Sequence, residues 1–112
     1  MTRQSERITA LIDGVLTEPG TTESDLRRHV ASRAGALSGG QAADGAVPDD
    51  LSGWVAKVAQ HAYKTTDQDV ASLRAAGYSE DQIFEVTVAA AVGASRARLE
   101  RALEAIGLKD ED

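Results

Sequence analysis

A chain of 112 residues makes one small domain, long enough for a single core but short enough to leave apolar surface incompletely covered, so self-association is expected. Twelve Lys and Arg against eighteen Asp and Glu leave a net charge of −6, which repels phosphate backbones and anionic lipid and argues against nucleic-acid or membrane partners. No cysteine occurs, which removes disulfides, thiolate metal sites and thiol nucleophiles, and the two histidines, His29 and His61, have no metal-ligand spacing.

The stretch "SERITALIDGVL" sets Ile8, Leu11, Ile12, Val15 and Leu16 on one helix face, with Ser5 available as a cap, and predicts a first helix over residues 5–17. In "TEPGTTESDL", Pro19 and Gly20 end that helix, and Thr22 stands three before Asp25 in a capping-box-like arrangement. The second helix is expected to run to about Ala36, completing an N-terminal hairpin over residues 5–37. Its stripe of Leu26, Val30, Ala34 and Leu37 is thin, which suits a place at the periphery or against a stabilising neighbour. Residues 38–50 are rich in glycine and aspartate without periodicity and read as a loop.

After Pro48 the helical pattern resumes through Leu51, Trp54, Val55, Val58, Ala59 and Ala62, with Trp54 as a core anchor. Thr66 with Asp69 caps a short helix carrying Val70 and Leu73, Gly77 suits the left-handed residue that ends it, and Ser79 with Gln82 opens the next. From Glu80 to about Ile106 the pattern is helical throughout, with Gly93 a candidate bend. Within it "VAAAVGA" is small on every side, which lets other helices approach from more than one direction. Further on, Leu99, Leu103 and Ile106 form an apolar seam, Arg96 and Glu100 are spaced for an ion pair, and the arginines are expected to be solvated. Residues 108–112 read as an acidic, disordered tail.

Nothing alternates with period two over a strand length, so the expected fold is all-α, a single-domain bundle of about five helices with its core in residues 51–107. The longest apolar run falls well short of the roughly 20 residues a membrane span needs, and no charged start with an apolar stretch opens the chain. A cytoplasmic location is the corresponding expectation.

The run "HAYKTTDQDVASLRAAGYSEDQIFEVTVAAAVGASRARLERAL", with its "AAGYSEDQIFE" junction leading into an alanine-rich helix, resembles the alkylhydroperoxidase D-like, carboxymuconolactone decarboxylase superfamily over about residues 48–107. The resemblance implies an all-helical fold and assembly as a trimer or hexamer. Redox members carry Cys-x-x-Cys followed by a histidine, and those positions fall here at about Ala62, Thr65 and Asp69. Neither a methyl group nor an ordinary threonine hydroxyl opens a peroxide bond at neutral pH, so thiol peroxidase activity does not carry over.

Beside those positions stands a polar cluster. His61 is a natural proton carrier, Lys64 can hold a carboxylate or form a Schiff base, and Tyr63 can donate to a developing oxyanion. The decarboxylase branch of the superfamily works on a carboxylated lactone by proton transfer, which such groups can serve on a small anionic substrate. The same residues also suit a plain helix junction: His61 and Lys64 as donors to terminal carbonyls, Asp67 and Asp69 as first-turn carboxylates, Tyr63 as a half-buried packing residue. Two readings follow: an oligomeric binding or scaffold protein without a cofactor, or a non-redox enzyme centred on His61.

Overall fold

The computed structural model describes residues 3–39 and 45–107. Residues 40–44 of the expected loop and 108–112 of the expected tail lie outside them. Five α-helices follow one another: α1 (Arg3–Thr17), α2 (Ser24–Leu37), α3 (Asp49–His61), α4 (Asp67–Ala75) and α5 (Glu80–Ala105), with a single 3₁₀ turn at Ala62–Lys64 between α3 and α4. No strand occurs among the described residues, so the all-α architecture stands as expected.

Local chemistry explains the sharper boundaries. Thr66 Oγ1 accepts the Asp69 backbone N–H while the Asp69 carboxylate accepts that of Thr66, and Ser79 and Gln82 repeat the arrangement at the head of α5. Gly77, at φ +107°, closes α4: its N–H donates to Arg74 O and the Tyr78 N–H reaches back to Leu73 O. Only a residue without Cβ adopts that backbone cheaply. Pro48 precedes the first turn of α3, where the lost N–H costs nothing.

The head of α2 departs from expectation. Thr22 is not its cap; Glu23 occupies that position without a side-chain bond, because both threonine hydroxyls are drawn to Glu85 on α5. At the chain's start α1 begins at Arg3, so Ser5 lies within the helix and not at its cap.

The core runs between α2, α3 and α5, with Val30, Ala34, Leu51, Val55, Ala59, Ala89 and Ala90 fully buried. Of the two placements expected for α2, the stabilising neighbour is the one found: its most extensive contact is with α5. The stripe is thin because small residues, not large ones, make this contact. A Cβ built on Gly93 would fall 2.1 Å from the Ala31 carbonyl oxygen and 2.7 Å from its Cα, and one on Gly35 would fall 3.3 Å from Gly93 O. The backbones therefore touch where the two glycines face each other. Gly93 does not break the helix, which continues through it; its missing methyl is what lets α2 in.

Two arginines, Arg27 and the exposed Arg98, have structural tasks. Arg27 is only 5% exposed; its Nη1 donates to Val15 O at 2.9 Å and its Nη2 to Glu18 O, closing the C-terminal end of α1. Arg98 extends from α5 to donate to Ala59 O near the end of α3. From the same end of α3, Gln60 Nε2 donates to Leu37 O at 3.1 Å, which ties α3 to the end of α2. Trp54 is half-buried against the core, and its indole N–H donates to Thr87 Oγ1 at 2.8 Å.

Candidate functional site

The junction "HAYKTTDQDV" is a helix end, a 3₁₀ turn and a helix start, and it separates the candidate residues into two groups. His61 is the last residue of α3, while Tyr63 and Lys64 lie in the turn. All three are exposed, Tyr63 at 81%, so it is not the half-buried packing residue that patterning allows. They do meet each other: the His61 and Tyr63 rings stand edge to face with centroids 6.0 Å apart, and Lys64 Nζ lies 5.8 Å from the Tyr63 centroid. The cluster faces open solvent, and none of the three lines the cleft described below.

The family positions make up the second group. Ala62 and Thr65 are joined across the 3₁₀ turn, with both the Thr65 N–H and hydroxyl donating to Ala62 O, at 3.1 and 2.8 Å. Thr65 Oγ1 is thus spent on the turn itself. Asp69 receives Lys57 Nζ at 2.9 and 3.1 Å as well as the Thr66 N–H. Those bonds, the one from Lys57 foremost, hold its carboxyl below the usual range. A carboxylate so fixed is an anchor and a poor base.

Asp69 also opens onto a cleft of about 390 Å³ between α3 and α4, lined by Asp50, Gly53, Trp54, Lys57, Leu73 and Ser72 among others. One wall is built by Asp50, Trp54 and Lys57, spaced i, i+4, i+7 on α3. The other is built by Asp69 and Leu73 of α4 and Ala76 at its C-terminal cap, with the same spacing. At one end Tyr78 Oη donates to Asp50 Oδ1 at 2.6 Å, and burial together with that carboxylate pushes the phenol up to about 12. At the other end the Lys57–Asp69 pair is about one-third exposed on each side. The cleft can seat a small, partly apolar molecule against the indole, but its ionisable groups are already paired with one another. The matching 4-3 spacings on two successive helices were the signal that sequence reading passed over.

A third cluster ties the N-terminal half to α5. The Glu85 carboxylate accepts four bonds, from Thr21 N (2.7 Å), Thr21 Oγ1 (2.5 Å), Thr22 N (2.8 Å) and Thr22 Oγ1 (2.6 Å). These donors, the threonine hydroxyls foremost, bring its pKa from an ordinary 4.5 to about 2. Its partners lie 63 and 64 residues away, beyond any local motif.

Among the described residues no group of three or more His, Asp or Glu is placed to hold a metal ion, and no helix is long and apolar enough to cross a membrane. Comparison with family models, curated proteins and solved structures returned no match for this chain.

Proposed function

We propose that the protein is a cysteine-free, all-helical relative of the alkylhydroperoxidase D-like superfamily that works as an oligomeric binding or scaffold protein and has no thiol peroxidase activity. The observation that carries this reading is the second apolar side of α5. One side of that helix enters the core through Ile83, Val86, Ala90, Gly93 and Ala97. On the other side Phe84, Leu99 and Ile106 stay 68%, 44% and 69% exposed. A helix apolar on both sides is ordinarily covered on both.

The sites of the relatives' sulfur chemistry support the negative half. Their positions hold a methyl group, a hydroxyl bonded within its own turn and a carboxylate paired with Lys57, in a chain without any thiol. His61, Tyr63 and Lys64 stand in open solvent, and nothing in their arrangement favours proton transfer on an enclosed anionic substrate. The paired-helix cleft beside Trp54 is the better seat for a small ligand.

Light scattering coupled to gel filtration at micromolar concentration tests the reading, with a mass of a whole-number multiple of 11.8 kDa as the expected result. A monomer there, or cofactor-independent turnover of hydroperoxides by the purified chain, would overturn it.

A further inference from the structure

The outer side of α5 has a pattern specific enough to name its occupant. Phe84, Val88, Ala91, Ser95, Leu99 and Ile106 recur along one line, completed by Ala102, with steps of four, three, four, four, three and four. That is an eleven-residue period taken twice, about 3.7 residues per turn, so the line keeps to one side of a nearly straight helix for about 33 Å. It lies opposite the side that meets α2. Beside its middle, Ile12 of α1 and Ala91, Val92, Ser95 and Leu99 of α5 border an apolar groove of about 250 Å³. The outward residues of α1 leave a further exposed leucine, Leu11 at 71%.

Size varies along this line, and the two halves of α5 differ in charge. Large residues stand at the ends and small ones, Ala91 and Ser95, in the middle, where a second helix can come closest. Residues 80–92 carry Glu80, Asp81 and Glu85 and no base, whereas residues 93–105 carry three arginines against two glutamates. A parallel copy would lay the acidic half upon itself. An antiparallel copy lays it against the arginine-bearing half and also opposes the two helix dipoles.

We infer that α5 pairs with α5 of a second copy of this chain, antiparallel about a two-fold axis between Ala91 and Val92, with Phe84 of each copy set against Leu99 of the other. About that axis Val88 faces Ser95 and Ala91 faces Val92, while Ile106 falls opposite position 77, beyond the paired stretch of α5. The inference rests on the oligomeric reading above and gives it a geometry. A two-fold contact of this kind occurs in a dimer or a hexamer with dihedral symmetry and not in a cyclic trimer.

The absence of native cysteine makes the test clean. Phe84→Cys and Leu99→Cys proteins are prepared singly, mixed, and treated with a short bismaleimide at micromolar concentration. The mixture should cross-link at least tenfold more than either protein alone, because residues 84 and 84 of the two copies lie about 22 Å apart along the axis in this register. Ala91→Arg, at an exposed position, should keep its helical circular dichroism and weaken association at least tenfold. Strong cross-linking of either single variant with itself would overturn the antiparallel register. An oligomer that neither cross-links in the mixture nor responds to Ala91→Arg would overturn this interface while leaving the oligomeric reading intact. A monomeric parent chain would overturn both.

Discussion

At position 93 a hydrogen in place of a methyl group sets how near α2 and α5 can lie. Gly93→Ala gains about 1 kcal/mol of helix propensity but drives a carbon into the Ala31 backbone, and overpacking of this kind costs about 1–3 kcal/mol or more. We expect a net loss of about 2 kcal/mol in urea unfolding. Gly53→Ala, on α3 where an added Cβ meets nothing within 4 Å, should instead raise stability by about 0.5–1 kcal/mol. Opposite signs for one chemical change would isolate the steric contact from propensity. Glu85 offers a second measurement at this scale. Its folded pKa of about 2 lies below its ordinary 4.5, so the stability it adds is present above about pH 4.5 and is lost as the pH falls towards 2. Discounted for partial exposure, that contribution is about 1–2 kcal/mol. Glu85→Gln should therefore unfold more readily at neutral pH and show a flatter acid limb between those values. Neither residue is legible beforehand: the partners of Glu85 are distant in sequence, and a glycine inside a helix reads equally as a bend or a close approach.

Among the helices, the boundaries written by neighbouring residues were legible and the faces were not. Thr66 with Asp69, Ser79 with Gln82, and Gly77 act within five residues and are present as expected, whereas Thr22 and Ser5 do not cap their helices. Thr66→Ala removes the hydroxyl half of the first box and should cost about 1 kcal/mol, read as a lowered urea midpoint with an unchanged slope. The apolar face expected for α1 proves only partly used: Leu16 is buried and Ile12 packs against the core, while Leu11 and Val15 remain exposed. Periodicity identifies a face wide enough to bury; how much of it a neighbour covers depends on helices elsewhere in the chain. For α2 a stabilising neighbour was among the expectations, but how closely it lies was not. Counting large side chains undervalued a helix whose alanines and glycine allow its backbone to approach most closely. The candidate site followed the same rule. Residues of the junction were correctly placed at a helix end, but the cleft lay across two helices, where only the repeated spacing of Asp50, Trp54, Lys57 and Asp69, Leu73, Ala76 could have shown it.

Across the whole molecule, α5 is the shared partner: α1, α2, α3 and α4 all make contact with it. Deleting residues 80–112 should leave the remaining chain without cooperative unfolding, since Val30, Ala31 and Val55 would lose the surface they pack on. Circular dichroism with a thermal ramp checks this; a sharp transition in the truncated chain would show that the first four helices hold a core of their own. The expected bundle of about five helices was legible because each helix carries its own punctuation. The central helix was legible as well, since "VAAAVGA" is small on every side; what the sequence does not rank is which apolar side of α5 the chain itself covers.

The order in which the helices are joined has a consequence for biosynthesis. During translation α1 to α4 leave the ribosome before the helix that covers them, so Val30 and its neighbours wait uncovered until α5 has been made. Nascent chains stalled before residue 80 therefore present adhesive surface to chaperones and proteases.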